Sequence, residues 1–182
     1  TGIVKDIFPG PEGSHPRDFV DLGGVLVFTA IDGETGREIW RSGGTGQGSA
    51  YVFRWNGTGW VEEQRLTASD GVTGDSFGAS VAISGDIVLV GAYTDQIGTN
   101  FAQGSAYVFR WNGTSWAQEQ KLTVSDGAAV DVFGISVALS GNVALVGAPG
   151  HGVGANASQG PAYAFRWTGS TSSCPSMRRA RW

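Results

Sequence analysis

Short runs with a period of two recur along the chain between Gly-rich turns, and no stretch shows the 3.6-residue period of a helix. "SAYVFRW" (Ser49–Trp55) sets Tyr51, Phe53 and Trp55 against Ala50, Val52 and Arg54. After Asn56-Gly57, a turn dipeptide, "WVEEQRL" (Trp60–Leu66) brings the chain back. "FGASVAIS" (Phe77–Ser84) and the nearly continuous apolar run "IVLVGA" (Ile87–Ala92) follow, the latter suiting a strand covered on both faces. Gly85-Asp86 between them fits a two-residue hairpin turn, which needs positive φ. Four short antiparallel strands joined by hairpins are therefore predicted.

This pattern is written twice. Residues 48–103 and 104–159 align without a gap and are identical at 34 of 56 positions. A third copy begins at "GPAYAFRW" (Gly160–Trp167) and stops matching afterwards. Periods of this length belong to solenoids, propellers or arrays. Four antiparallel strands per 56 residues is one blade of a β-propeller, with a β-solenoid or a linear array of small sheets as the alternative. The expected fold class is all-β: a partial β-propeller of four-stranded antiparallel blades with a 56-residue period.

Two separated motifs recur in order within each copy. Phe77-Gly78-x-Ser80-Val81 precedes Leu89-Val90-Gly91-Ala92, and Phe133-Gly134-x-Ser136-Val137 precedes Leu145-Val146-Gly147-Ala148-Pro149. Over about 48–167 the chain resembles the FG-GAP repeat of integrin α-subunit propellers. The resemblance implies a propeller, usually extracellular, used for adhesion and ligand binding. Phe77 and Phe133 then read as anchors between blades, and Gly78 and Gly134 as points where backbones crowd too closely for a Cβ.

Residues 1–47 do not fit the 56-residue frame. Val4-Lys5-Asp6-Ile7, Pro9-Gly10, Leu26-Val27-Phe28-Thr29-Ala30, Asp32-Gly33 and Gly36-Arg37-Glu38-Ile39-Trp40 resemble one copy of the ELWxxDGT repeat of large bacterial surface proteins. The match departs at Gly43-Gly44-Thr45, where that repeat has Asp-Gly-Thr. The organisation expected is a β unit over 1–47, two full blade repeats and the start of a third over 48–167, and an irregular basic tail over 168–182.

Charge and composition narrow the partners. Net charge is −4, and without Arg178, Arg179 and Arg181 nine cationic residues face sixteen acidic ones, a balance of −7. Such a body lacks the basic face that nucleic acid requires. No run approaches 18 apolar residues, so no membrane insertion is expected. The single cysteine, Cys174, allows no internal disulfide. The chain opens at Thr1 and its one methionine is Met177, so it reads as a piece of a longer protein.

The calcium loops that the FG-GAP resemblance brings to mind need several carboxylates at alternating positions. Between Val81 and Leu89 only Asp86 is acidic, and its repeat counterpart is Asn142. No cofactor and no metal are expected on that account. Asp70 with Asp75, repeated as Asp126 with Asp131, admits an ion-binding reading and a turn reading. The second is favoured, because Asp-Gly makes a turn and a following Asp can accept backbone N–H groups before Phe-Gly. Glu62-Glu63 becomes Gln118-Glu119 in the second copy, which argues for a solvated strand face rather than an acid–base pair. The sequons at Asn56, Asn112 and Asn156 are met by turn chemistry at the first two.

The expected function is non-enzymatic: a binding or adhesion segment of a larger secreted or cell-surface protein. The alternative is a propeller scaffold within an extracellular enzyme whose catalytic residues lie elsewhere. Partners expected are an unknown protein or glycan ligand and the rest of the parent propeller. The two copies agree at the hairpin turns after the first and third strands. They diverge at the other end, sharing 3 of 11 positions over Tyr93–Gln103 and Pro149–Gln159. Long loops vary freely and carry recognition. Tyr93, Asp95, Asn100 and Phe101, with His151 and Asn156, are therefore the expected contact residues.

Overall fold

The computed structural model describes residues 17–21, 25–29, 47–56, 60–152, 159–167 and 178–179. Twelve strands form three four-stranded antiparallel sheets, and no helix occurs among the described residues. Sheet I contains β1 (Arg17–Asp21), β2 (Val25–Thr29), β3 (Ala50–Trp55) and β4 (Trp60–Leu66). Sheet II contains β5 (Phe77–Ser84), β6 (Ile87–Ala92), β7 (Ser105–Trp111) and β8 (Trp116–Leu122). Sheet III contains β9 (Ser136–Ser140), β10 (Val143–Gly147), β11 (Ala162–Arg166) and β12 (Arg178–Arg179). Each sheet is a simple meander in chain order.

The local chemistry explains the turns. Ser84 pairs with Ile87 across Gly85-Asp86, and Gly85 has a φ of 56°. Only Gly takes that conformation without steric cost. Between β7 and β8 the loop is Asn112–Ser115. There Asn112 Oδ1 accepts the N–H groups of Thr114 (3.0 Å) and Ser115 (2.9 Å). The second sequon is thus built into a turn.

The sheets stack through Phe77 and Phe133, both fully buried. Phe77 packs edge-on to Tyr107 and Phe109, with ring centroids 5.4 and 6.0 Å away, in a core it shares with Ala50, Val52 and Leu66 of sheet I. Phe133 repeats this against Tyr163 and Phe165 at 5.6 and 6.0 Å, against Ala82, Leu89 and Val108 of sheet II. Polar clamps reinforce the stack. Gln64 donates to Trp116 O and accepts from Trp116 N, both at 2.7 Å. Gln118 does the same for Ser69 at 2.9 Å, accepting from its N–H and donating to its Oγ. Trp116 Nε1 donates to Glu63, which also pairs with Arg54. Glu119 pairs with Arg110. These glutamates are cross-strand partners of arginines rather than a merely solvated face.

Two expectations about the ends meet the structure differently. Sheet I takes β1 and β2 from before Gln47 and β3 and β4 from after it, so the position expected as a unit boundary falls inside a sheet. The tail was expected to be irregular, yet Arg178 and Arg179 pair with Ala164 and Tyr163 as a short fourth strand. Backbone pairing needs no sequence match, so the loss of the repeat pattern did not forbid it. The other tail residues, and most of the ELWxxDGT-like positions, lie outside the described residues.

The far face of sheet III has a consequence. Ala82, Leu89, Ala106 and Val108 of sheet II are buried against sheet III. Their counterparts Ala138 and Leu145 are exposed, and Ala162 and Ala164 half-buried. Leu89 is 0% exposed and Leu145 44%. A sheet face with this apolar content drives association. Concentration-dependent self-association of the chain is expected by sedimentation velocity, and Leu145→Lys should reduce it. A monomer at all concentrations contradicts this.

Candidate functional site

Loops between β4 and β5, β6 and β7, β8 and β9, and β10 and β11 leave one end of the sheets, opposite the tight hairpins. Their Asp-Gly turns are built as the sequence suggests. Gly71 N bonds Ala68 O and Gly127 N bonds Val124 O. Asp75 Oδ2 accepts Val72 N, and Asp131 Oδ2 accepts Ala128 N, each at 2.7 Å. Gln103 Nε2 bonds Val124 O at 3.1 Å and Asn100 Nδ2 bonds Gln103 Oε1 at 2.9 Å, fastening one loop to the next.

Beneath the loops of sheet II lies a partly buried polar cluster. Lys121 Nζ sits 2.7 Å from both Asp70 Oδ2 and Asp95 Oδ2, and 5.2 Å from the centre of the Tyr107 ring. Asp95 also accepts from Ser105 Oγ at 2.5 Å and from Tyr107 OH at 3.1 Å. Tyr107 OH reaches Asp70 Oδ1 at 2.9 Å as well. Burial alone lowers the Lys121 pKa, but hydrogen bonds to Asp70, Asp95 and Tyr107 outweigh it and raise it. Burial pushes Asp70 up, and Lys121 and Tyr107 more than reverse that, so Asp70 lies below its ordinary value. Burial raises the Tyr107 phenol. Burial also raises Asp75, against the pull of the Val72 N–H, with the charge of Asp95 adding to the rise.

Sheet III carries a different version. His151 occupies the place of Asp95, and its Nδ1 donates to Asp131 Oδ2 at 2.6 Å. Its Nε2 lies 3.8 Å from Asp126 Oδ2, and its ring is 6.1 Å from that of Tyr163. The histidine thereby ties the β10–β11 loop to the β8–β9 loop.

The expected contact residues divide. Phe101 is 65% exposed at the loop end. Tyr93 and Asn100 are half-buried, and Asn100 also bonds Gly127 O at 3.2 Å. Asp95 and His151, expected on the contact face, are instead 4% and 6% exposed. Each is drawn inward by oppositely charged or hydrogen-bonding partners supplied by neighbouring strands and loops. Asn156 lies outside the described residues. Sequence reasoning missed Lys121, Ser105 and Tyr107. The available signals were the retained Tyr at 51, 107 and 163 and the basic residue at both 65 and 121.

Asp75 yields a pH prediction. Its folded pKa is raised above the ordinary 3.8, so its ionised form opposes folding, and this cost grows as pH rises from below 3.8 and saturates above the folded value. Asp75→Asn keeps an oxygen for the Val72 N–H and removes the charge. The variant should gain stability relative to the parent as pH rises from below 3.8 toward neutrality, read from denaturant midpoints. A difference independent of pH contradicts the burial argument.

Among the described residues no group of three or more His, Cys, Asp or Glu side chains is arranged to hold a metal ion. No helix among them is long and apolar enough to cross a membrane. No individual curated protein matches the chain. The FG-GAP repeat matches residues 60–109 and 116–165, each running from a fourth strand through the third strand of the next sheet. Those two matches cover more than half of the sequence, and FG-GAP repeats are blade repeats of β-propellers: with its three meander sheets stacked through Phe77 and Phe133, the chain belongs to the FG-GAP repeat family.

Proposed function

We propose that the chain is a non-enzymatic binding segment, of adhesion type, within a larger secreted or cell-surface protein. The observation that carries the reading is the division between the two ends of the blades. The hairpin end is nearly invariant between copies, while the loop end differs in sequence and in its buried support, Asp95 with Lys121 in one blade and His151 with Asp131 in the next. A scaffold that holds its strands constant and changes its loops is organised for recognition. The repeated carboxylates support a non-catalytic reading, since Asp70, Asp75, Asp131, Glu63 and Glu119 each serve a turn or an ion pair. The ELWxxDGT-like pattern before residue 48 supports a surface protein of bacterial type. The partner is a protein or glycan rather than nucleic acid, and the chain does not insert into a membrane.

Protease shaving of intact cells that make the parent protein tests the location, with peptides of this segment expected in the supernatant. For binding, Tyr93→Ala and Phe101→Ala should weaken adhesion of the parent more than Thr58→Ala and Thr114→Ala at the hairpin end. The reverse order rejects the loop end as the contact face.

A further inference from the structure

Among the described residues, four non-glycine residues have φ in the left-handed region: Ser76 (57°), Ala102 (50°), Val130 (66°) and Val132 (51°). Three of them meet in one place. Val130 N donates to Phe101 O at 2.9 Å, and Val132 N donates to Ala102 O at 3.1 Å. A β-branched residue in this region is a conformational outlier, held only where its surroundings over-determine it.

The repeat supplies the control. Gly74 occupies the place of Val130 one copy earlier, with a φ of 95° and nothing within 4 Å of an added Cβ. The second copy therefore carries a strained valine where glycine fits. Burial does not compensate, because Val130 is 58% exposed and the adjoining Phe101 is 65% exposed. Two apolar side chains stand out from neighbouring loops, joined through their backbones, and folding gains little from either. Such strain collects where a surface is used.

We propose that Phe101 and Val130 form an anchor for a protein partner that inserts an apolar side chain flanked by a basic residue. The inference rests on the loop-end binding reading and narrows its partner to a protein. Three observations choose that partner. The exposed neighbours Ala128 and Ala129 offer no side-chain hydrogen bonds of the kind sugar hydroxyls require. Asp126, half exposed although its Oδ2 also lies 3.8 Å from His151 Nε2, places a carboxylate on the same loop. The chain as a whole is acidic, at −4, which complements a basic partner segment.

The test uses the 182-residue chain, Val130→Gly and Phe101→Ser, with peptides selected on the chain from a phage-displayed random library as probes. Selected peptides should combine an aromatic or branched aliphatic residue with Lys or Arg. They should bind Val130→Gly and Phe101→Ser about tenfold more weakly or worse. Val130→Gly should also melt about 2–4 °C higher, since it relieves strain, which separates lost binding from lost folding. An unchanged or lower melting temperature for Val130→Gly overturns the strain argument. Peptides that bind both variants as tightly as the parent overturn the anchor. If those peptides are lost in Tyr93→Ala, the loop-end reading stands without this anchor. If only Thr114→Ala weakens them, the loop-end reading falls as well.

Discussion

Gly134→Ala should lower the melting temperature by about 10–15 °C, or prevent folding, while Gly141→Ala lowers it by only a few degrees. Both glycines have positive φ, 91° and 55°, so both variants carry the left-handed cost of about 1 kcal/mol. They differ in surroundings. A Cβ at Gly141 meets nothing within 4 Å, as expected at a hairpin tip. A Cβ at Gly134 collides with the carbonyl oxygen of Ser105 and comes within 3.3 Å of Ala92 N. Its obstacles are backbone atoms at the ends of β6 and β7, which have no rotamer to change. The Gly134 carbonyl in turn accepts Ser80 Oγ at 2.8 Å, and its N–H donates to Gly147 O at 3.0 Å. Moving this segment away breaks both bonds and pulls Phe133 from between blades. We expect a total of about 4 kcal/mol, large for a single methyl group and a substantial share of ordinary domain stability. Circular-dichroism melts of the two variants decide it. Equal losses would mean that only φ matters and that the close approach of the blades does not.

That role for the Phe-Gly step was legible in the sequence, as were the strands and hairpins of the two full repeats, because each is written locally. Period-two alternation, Gly-Asp and Asn-Gly turns and a 56-residue self-match all lie within one strand or one repeat. What stayed hidden acts across blades. Gln64 clasps the backbone of Trp116, 52 residues away, and Lys121 reaches Asp70, 51 residues away. No local pattern announces such partners. The clue was the combination of retained and changed positions: Gln at 47, 103 and 159 beside each Gly-rich junction, and Asp95 exchanged for His151. Loop divergence reads locally as a recognition surface, although at these two positions it is a change of buried polar partners. The strand at Arg178 and Arg179 escaped for another reason. A strand at the end of a sheet needs only backbone partners, and the composition after Trp167 gives no periodicity to read.

The Lys121 cluster gives the other large effect. Lys121→Met should destabilise the chain by about 2–3 kcal/mol, and Lys121→Arg by much less. Methionine keeps the length of the side chain and removes the ammonium, leaving Asp95 buried among Ser105, Tyr107 and apolar strands without a counter-charge. Breaking a fully buried ion pair costs about 3–5 kcal/mol. The discount applied here reflects Asp70, which is half exposed and can turn to water. Arginine already stands at the equivalent position 65, over the ring of Tyr51, so the site tolerates its bulk. The pH behaviour identifies the cause. Lys121 is raised above 10.5, so its contribution is complete below that value and fades only as pH climbs through the higher folded value. Asp70 is lowered below 3.8, so its contribution is present above 3.8 and fades as pH falls through the lower folded value. The gap between the parent and Lys121→Met should therefore stay level from about pH 5 to 9 and close toward either extreme. The same bridge predicts the response to calcium. An ammonium already placed between Asp70 and Asp95 leaves a divalent ion to compete with it for both carboxylates, so millimolar Ca²⁺ should not raise the melting temperature of the parent chain. A rise of several degrees would show that the carboxylates exchange Lys121 for the metal, and a gap that stays the same at both pH extremes would assign the loss to packing rather than charge.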